Sequence, residues 1–486
     1  MFQTVELPLW LLVLAFFLAA IAAAERVIGP SLRWLFRRRL ERVLTRVNQK
    51  LDRKIEPFKL MRRQDMVIRL LYDPAVLEAV AEHAAANGLP GEVALEEARR
   101  YAREIVPGFS ALFYFGFATR AARAISDVAF RLSVRQVNPA LSRINPKATI
   151  IFVINHRSNM DYVLVTWLVS ARTAISYAVG EWARVWPLSA LIRAMGAYFI
   201  RRGSRNPLYR RVLARYVQMI TAEGQTQAIF LEGGLSLSGR VGAAKMGLLS
   251  YVTAGFEPAS GRDVVFVPVG LAYDRVLEDR ILVGAAQQGD RRFRPRLLRI
   301  LAETLMVALK RAGGRRHLYG AAAASFGAPV SLARHLASGG SVEDLGSRLM
   351  GEIAKGVPVL PVPLVAASLR LRRDLESLVG DLRALGVILP LPSGGLPALE
   401  ASGRAGLRAR GILSEAGEIL AGQEQMADFY AAAVLQHLER QAFDDLSADG
   451  LSPDGLSLDV CTAGPVPVTA LGQGPAARPL AQAEDR

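Results

Sequence analysis

The sequence predicts an α/β domain with a largely parallel sheet flanked by helices. Short apolar segments alternate with helical patterns through the centre of the chain, which is the rhythm of consecutive β-α units. One apolar segment, 148–154, is almost continuously hydrophobic and rich in β-branched residues, as expected of a strand covered on both faces. The chain has 486 residues, 51% of them hydrophobic, which is enough for a large core.

Five central segments have the length and composition of strands, and helical patterns separate them. The predicted strands are 148–154, 173–179, 197–201, 227–231 and 264–269. The helices between them are 162–170, 182–195, 208–222 and 243–255, and a helix at 296–311 with an apolar segment at 318–326 completes the set. We therefore assign an α/β domain to residues 148–330.

A helical region is predicted before this domain, over 64–147. Two helical patterns, 73–86 and 92–106, are separated by a turn rich in Gly, Asn and Pro. They are followed by an unusually aromatic stretch, 109–132, which is consistent with either a core helix or a contact with the membrane interface.

A second helical region is predicted after the domain, over 331–442. It contains helical patterns at 345–355, 361–385 and 426–440. The remaining residues, 443–486, are rich in Gly, Ser, Pro, Ala and Asp and have no apolar period, so we expect them to be disordered.

Residues 1–63 have the features of a membrane anchor followed by a basic amphipathic helix. The stretch 7–24 is uncharged and almost wholly apolar, about the minimum length for a transmembrane helix. Residues 26–63 contain 13 Lys or Arg and three Asp or Glu, and apolar positions recur at helical steps over 31–55. Lys and Arg are absent before the apolar stretch and abundant after it. This difference predicts attachment to the cell inner membrane, with the rest of the chain on the cytoplasmic side and the basic helix on anionic phospholipid. A cleaved signal and a solvated helix are the alternatives.

Composition also bears on which other classes of site are to be expected. The single cysteine, Cys461, excludes an intrachain disulfide and a cysteine-ligated zinc site. The five histidines have no metal-ligand spacing, and no P-loop, dinucleotide fingerprint or Gly-x-Ser-x-Gly motif is present. The net charge is +16, but the basic residues cluster beside the anchor without an aromatic-basic recognition motif. We expect no metal, no cofactor and no nucleic-acid partner.

The candidate catalytic residues follow the predicted strand at 148–154. His156 comes directly after its carboxyl end, where ligands usually bind in open α/β sheets. Asp161 lies in the first turn of the next helix and is close enough to accept a hydrogen bond from one imidazole nitrogen. The other nitrogen would then take a proton from a substrate hydroxyl. A purely structural role as helix N-caps is the alternative for these residues.

Four sequence blocks, in this order, resemble the motifs of the glycerol-3-phosphate acyltransferase family, in particular its bacterial membrane-bound type. They are His156-Arg-Ser-Asn-Met-Asp161-Tyr, Gly196-Ala-Tyr-Phe-Ile-Arg201-Arg202, Phe230-Leu-Glu232-Gly233-Gly234-Leu-Ser236-Leu-Ser-Gly239-Arg240 and Val267-Pro268-Val-Gly-Leu-Ala-Tyr273. The resemblance covers about residues 70–440. It implies an acyltransferase-type fold and acyl transfer without a metal or an acyl-enzyme.

The resemblance also implies roles for individual residues. His156 is expected to be the general base, oriented by Asp161. Arg201 is expected to bind the phosphate of the acceptor, and Glu232 to bond the acceptor's hydroxyls or to hold Arg201. The other expected substrate-binding residues are Gly233, which permits close backbone approach, Ser236, Arg240 and Pro268, which shapes the wall of the site.

The third block departs from the family pattern. Bacterial members usually carry arginine at the position of Leu235, as part of the glycerol 3-phosphate site, and often at that of Leu237. A leucine cannot donate to a phosphate. Either Arg240, Lys245 or Arg202 takes over this role, or the acceptor differs.

The sequence therefore predicts a membrane-bound O-acyltransferase. It would transfer a fatty acyl group from acyl carrier protein (acyl-ACP) or coenzyme A (acyl-CoA) to the sn-1 hydroxyl of glycerol 3-phosphate, giving 1-acylglycerol 3-phosphate in the first step of phospholipid synthesis. One alternative is the same chemistry on another acceptor such as lysophosphatidic acid. The other is an inactive membrane-binding scaffold, against which the His156 and Asp161 pair argues.

Overall fold

The computed structural model describes residues 48–448, except for 50, 52, 54, 171–172, 187, 202 and 290–317. The predicted anchor at 7–24, most of the basic helix at 31–55, the predicted helix at 296–311 and residues 449–486 of the tail lie outside the described residues. The chain divides into two compact units, 1–437 and 438–486. Of the second unit, residues 438–448 are described, and they are helical.

An eight-stranded sheet forms the centre of the first unit. Its order is β1-β7-β6-β2-β5-β3-β4, and β8 pairs with β6. The strands are β1 Arg131–Val137, β2 Thr149–Ile154, β3 Ser176–Gly180, β4 Tyr198–Ile200, β5 Gln227–Ile229, β6 Val264–Tyr273, β7 Ala321–Phe326 and β8 Val330–Ser331. Among these strands β6 pairs antiparallel with β7 and β8, and the other pairs are parallel. The predicted fold class, α/β with a largely parallel sheet, is confirmed.

Strand β1 corrects one prediction. It lies within residues 64–147, which we expected to be helical throughout, and it pairs parallel with β7 along the edge of the sheet. Polar and apolar residues alternate over Arg131–Val134, and a register shift between Val134 and Gln136 then breaks the alternation. The local sequence could not reveal this strand, because its partner β7 lies almost two hundred residues further along the chain.

Helices pack around the sheet. Those before β1 are Pro57–Leu60, Arg63–Leu71, Pro74–Asn87, Gly91–Ile105, Ala111–Phe113 and Thr119–Ala129, with a π-helical turn at Tyr114–Ala118. Those between the strands are Met160–Ser170, Leu188–Ala194, Pro207–Ala222, Gly247–Ala254 and Asp279–Gln288. Those after β8 are Leu332–Ala337, Val342–Gly356, Pro361–Leu371, Leu375–Ala384, Gly395–Ala409 and Glu424–Ala448.

Three C-terminal boundaries differ from the predictions. The helix predicted at 361–385 is two helices, because Arg372 adopts a left-handed conformation (φ 53°) and Asp374 caps the second one. The helix Gly395–Ala409 was not predicted, since its glycines and short side chains weaken the apolar period. The last helix runs to Ala448, so the predicted disorder from residue 443 begins too early.

The helix Pro207–Ala222 shows how local sequence builds an element next to the site. Asn206 caps it by accepting a hydrogen bond from the Tyr209 backbone N–H at 2.9 Å, and Pro207 occupies its first turn. Its buried stripe joins the main core of the sheet; it includes Leu208, Val212, Leu213, Tyr216, Val217 and Ile220. Burial of this face rather than helix propensity therefore holds the helix in place.

Within the described residues, no single helix combines the length and the apolarity needed to cross a bilayer. Two consecutive helices that meet at 91°, Val342–Gly356 and Pro361–Leu371, reach that length and composition together.

A buried lysine lies between the N-terminal helices and the sheet. The Lys59 ammonium donates a hydrogen bond to the Ala174 carbonyl at 2.7 Å and lies 4.8 Å from the centre of the Phe109 ring. Among the described residues, no carboxylate forms an ion pair with this ammonium group. Burial lowers the pKa of Lys59 from its ordinary 10.5 to about 7.

We expect Lys59 to make stability depend on pH. Because the folded chain holds this proton more weakly than the unfolded chain, the free energy of unfolding rises with pH between about 7 and 10.5 and is lower below 7. Between pH 7 and 9 the wild type should gain roughly 2 kcal/mol relative to Lys59→Met. Denaturant unfolding of both proteins at the two pH values measures this difference. An identical pH dependence in the two proteins would contradict it.

Candidate active site

The candidate site lies at the carboxyl end of β2, in the middle of the sheet. All six residues of β2 are buried, between β5 and β6. The strand end is fixed by Asn155, whose amide group donates to the Leu271 carbonyl at 2.9 Å and accepts from the Leu271 N–H at 2.7 Å. His156 follows directly, so its backbone position is set by the sheet itself.

His156 and Asp161 are in direct contact. The His156 Nδ1 and Asp161 Oδ2 atoms are 2.9 Å apart, and both side chains are buried. The same carboxylate oxygen accepts the backbone N–H groups of Arg157 at 2.8 Å and Ser158 at 3.0 Å. The other oxygen accepts the Tyr273 hydroxyl at 2.6 Å. The carboxylate is therefore fixed on both oxygens and holds the proton of the imidazole at Nδ1.

Two aromatic rings hold the imidazole in one orientation. Phe230 stacks on it with a centroid distance of 4.2 Å, and Tyr162 meets it edge-on at 5.5 Å. Within the described part of the chain, no protein group forms a hydrogen bond with Nε2 of His156. An imidazole with one nitrogen bound to a carboxylate and no protein partner on the other has the hydrogen bonding that general-base chemistry requires.

Glu232 supports the backbone of His156. Its carboxylate accepts the His156 N–H at 2.8 Å and the Gly242 N–H at 3.1 Å. Burial raises the pKa of Glu232, and these two hydrogen bonds oppose that change. The expectation that Glu232 holds Arg201 is wrong, because Arg201 binds another carboxylate.

Arg201 pairs with the carboxylate of Glu104. The Arg201 guanidinium forms a bidentate pair with it, at 2.8 and 2.6 Å, and these hydrogen bonds raise the pKa of Arg201. The guanidinium carbon lies 5.1 Å from the ring centre of Tyr101 and 5.2 Å from that of Tyr209. Glu104 also binds Arg184 at 2.8 Å, so one buried carboxylate serves two cations. Arg202 lies outside the described residues.

A cavity of about 390 Å³ lies next to the two rings that contact the imidazole. Tyr162 and Phe230, which flank His156, form part of its wall. The wall also contains the cations Arg201, Arg210 and Lys245. Its other lining residues are Ala178, Ile200, Gly203, Ser204, Tyr209, Leu213, Leu231, Gly233, Gly247, Leu248 and Tyr251. The cavity therefore has aromatic and apolar surfaces together with positive charge, as a pocket for an anionic organic molecule requires.

Gly233 is required in this wall for two reasons. Its φ is +67°, which other residues seldom adopt, and a Cβ at this position would lie 2.7 Å from Cδ of Lys245. The lysine side chain thus lies directly across the glycine. Of the cations we considered as substitutes for an arginine at Leu235, Lys245 lies in the cavity wall and Arg240 does not.

Ser236 and Arg240 shape the third block rather than line the cavity. Ser236 donates its backbone N–H to the His156 carbonyl at 2.9 Å. Its hydroxyl donates to the Arg240 carbonyl at 2.6 Å and accepts the Gly239 N–H at 3.1 Å. These contacts tie the loop to the strand end, so the expected direct contact with substrate is not supported for either residue.

Pro268 lies in β6, opposite Val153 of β2. Successive side chains of a strand alternate between faces, so Pro268 and Tyr273, five positions apart, point to opposite faces of the sheet. Pro268 is not among the residues that line the cavity. Its expected role in shaping the wall of the site stays a prediction.

Sequence reasoning missed Glu278. Its buried carboxylate accepts the Ser158 hydroxyl at 2.8 Å and both the backbone N–H and the amide group of Asn159, at 3.1 and 3.0 Å. Burial raises the pKa of Glu278. It therefore fixes the turn that carries His156 and Asp161. The one feature of the sequence that could have indicated a role for Glu278 is its position five residues after the fourth block.

Among the described residues, no group of three or more His, Cys, Asp or Glu side chains is arranged to hold a metal ion.

The chain is similar to known proteins over the region that contains this site. Residues 136–272 match the family model described as Acyltransferase, and this range contains His156, Asp161, Arg201 and Glu232. The part of the chain that carries the strand-end site is therefore similar to proteins of the acyltransferase class.

Curated proteins similar to this chain include glycerol-3-phosphate acyltransferases. The chain is 27% identical over 351 residues to a glycerol-3-phosphate acyltransferase of Ectopseudomonas mendocina, covering 68% of this chain and 41% of that one. It is 26% identical over 351 residues to one of Pseudomonas fluorescens, covering 68% and 40%. The resemblance to the glycerol-3-phosphate acyltransferase family is thereby confirmed. The chain spans about two fifths of the length of these relatives.

A solved structure, the 1-acyl-sn-glycerophosphate (LPA) acyltransferase PlsC from Thermotoga maritima, is also similar. The match covers 60% of this chain and 97% of that one, with 18% sequence identity and a TM-score of 0.28. At this TM-score the likeness bears on neither fold nor activity.

Proposed function

We propose that the chain transfers a fatty acyl group from a thioester, acyl-CoA or acyl-ACP, to the sn-1 hydroxyl of glycerol 3-phosphate. The products are 1-acylglycerol 3-phosphate and the free thiol of the donor. The observation that carries this proposal is the buried His156 and Asp161 pair beside a cavity with three cations in its wall. The named relatives support the choice of acceptor.

The proposed reaction begins with the acceptor hydroxyl against Nε2 of His156. The imidazole takes the hydroxyl proton as the oxygen attacks the thioester carbonyl carbon. The tetrahedral intermediate then collapses, the C–S bond breaks, and the imidazolium returns its proton to the departing sulfur. Asp161 keeps the ring oriented and stabilises the imidazolium, and such general-base assistance is typically worth roughly 10²–10⁴-fold.

The acceptor phosphate is proposed to bind Lys245, together with Arg201. Lys245 crosses Gly233 at the edge of the cavity, near the position where family members carry the arginine that Leu235 replaces. Glu104 neutralises part of the Arg201 charge, so we propose that a second cation in the same wall, Lys245, also binds the phosphate.

A second acceptor is favoured by one observation. Leu235 and Leu237 are both partly exposed in the loop that contacts His156, and they offer apolar surface instead of phosphate donors. A more apolar acceptor such as lysophosphatidic acid, with the same chemistry at the hydroxyl, is the second candidate.

We also propose that the protein works at the cell inner membrane, on its cytoplasmic side. The apolar stretch 7–24 and the basic residues after it support this. So do exposed apolar side chains of the first unit, because Trp186 is 81% and Phe117 59% exposed, and aromatic rings favour the membrane interface.

One assay tests acceptor and membrane attachment together. Membrane and soluble fractions containing the wild type are supplied with both thioesters and with glycerol 3-phosphate or lysophosphatidic acid. We expect acyl transfer to glycerol 3-phosphate in the membrane fraction. Lys245→Met should raise the KM for glycerol 3-phosphate roughly tenfold, the cost of one strong ion contact.

The matched control is Lys355→Met, which removes an exposed lysine far along the chain in the helix Val342–Gly356. It should leave the KM unchanged. Transfer to lysophosphatidic acid alone would replace the first acceptor by the second, and activity confined to the soluble fraction would contradict membrane attachment.

A further inference from the structure

A second and larger cavity, about 870 Å³, lies beside the first. It is an open groove between the helices Pro74–Asn87 and Pro207–Ala222. Tyr251 and residues of both helices line it, among them Glu82, His83, Ala86, Arg210 and Arg211. No step of the proposed chemistry at His156 uses this groove.

The groove borders the cavity beside His156. Arg210 and Tyr251 line both of them, so one side of each residue faces the groove and another faces the inner cavity. An extended molecule can therefore lie in the groove, pass Arg210 and Tyr251, and place one end against Tyr162 and Phe230, the two rings that contact the imidazole.

The wall formed by the helix Pro207–Ala222 is cationic. Arg210 and Arg211 are both exposed, in the first turns of the helix. Arg210 donates to the Arg205 carbonyl at 3.1 Å, and no ion pair or hydrogen bond engages the Arg211 guanidinium among the residues that the structure describes. Two exposed arginines, with a helix N-terminus behind them, favour an anionic group at this end of the groove.

The opposite wall is polar with little net charge. His83 is 3.1 Å from Glu97, and Asn87 donates to the His83 carbonyl at 2.8 Å. Glu82 is the acidic residue among those that line the groove. A ligand with a phosphate at one end and uncharged amides along its length matches this distribution.

We propose that the groove binds the phosphopantetheine arm of the acyl donor. The phosphate lies against Arg210 and Arg211, and the arm runs past Tyr251 so that its thioester reaches the cavity at His156. This proposal rests on the proposed function and adds the site of the second substrate. Coenzyme A and holo-acyl carrier protein share this arm, and the groove volume lies within the usual range for organic ligands.

Titration calorimetry with coenzyme A, and with holo- and apo-acyl carrier protein, tests the site without catalysis. Arg211→Gln should weaken binding of coenzyme A roughly fivefold, the loss expected for one exposed charge contact. Ala86→Trp, which fills the groove from the opposite helix, should weaken it at least tenfold. If the carrier protein is the physiological source, its holo form should bind more tightly than coenzyme A, and the apo form weakly.

Matched controls are available for both changes. Ala85→Trp adds the same side chain one position away, at an exposed residue outside the groove lining. Arg348→Gln removes an exposed arginine from the helix Val342–Gly356. Both should bind coenzyme A as the wild type does.

Kinetics separate this proposal from the proposed reaction. Arg211→Gln and Ala86→Trp should raise the KM for the thioester while the KM for glycerol 3-phosphate stays unchanged. Unaltered binding and unaltered thioester KM in both variants would overturn the groove site and leave the reaction intact. Groove-dependent binding by a wild type that transfers no acyl group would overturn the reaction and support the site.

Discussion

His156→Ala should remove nearly all acyl transfer. The variant lacks the group that takes the proton from the acceptor hydroxyl, and the surrounding structure offers no replacement, because Phe230 and Tyr162 fill the space around the ring. We expect kcat to fall by about 10²–10⁴-fold or more, with the KM for both substrates little changed. Initial rates with radiolabelled glycerol 3-phosphate measure the effect.

His335→Ala is the matched control for loss of a buried histidine. His335 is also buried, and its ring bonds the Ser341 carbonyl at 2.8 Å, away from the site. This variant should lose stability but keep its specific activity once folded. Full activity in His156→Ala would refute the general-base role. An unfolding temperature close to that of the wild type, together with retained binding of coenzyme A, shows that a loss of rate is chemical.

Asp161→Asn should have the second-largest effect. The substitution keeps the size of the side chain but removes the charge that faces Nδ1 of His156 across 2.9 Å. It also turns one of two accepting oxygens into a donor, so the backbone N–H groups and the Tyr273 hydroxyl can no longer all be satisfied as before. By analogy with Ser-His-Asp enzymes, we expect kcat to fall by roughly 10²–10⁴-fold.

Tyr273→Phe makes a smaller change at the same carboxylate and can be compared with Asp161→Asn. It removes only the 2.6 Å hydrogen bond to Asp161 and leaves the carboxylate in contact with the imidazole. We expect a decrease in kcat of roughly threefold to tenfold, the effect of one lost orienting hydrogen bond. Equal losses in Tyr273→Phe and Asp161→Asn would mean that position and not charge is the contribution of Asp161.

The sequence by itself determined the parts of this protein that depend on local periodicity. The apolar rhythm predicted the sheet, and five residues between a strand end and a helix start were enough to predict contact between His156 and Asp161. Such contacts follow from backbone geometry, because strand ends and first helical turns have nearly fixed shapes. The same reasoning could not test whether Arg201 faces the acceptor.

The tertiary structure alone decided the contacts between distant segments. Arg201 meets Glu104 across 97 residues, and Glu278 holds Asn159 across 119. The face on which Pro268 lies, the strand at 131–137 and the position of Lys245 over Gly233 were decided in the same way. The physical reason is that each contact depends on which strands and helices become neighbours. Neighbours are chosen by burial of the whole core, so no local stretch of sequence contains that information.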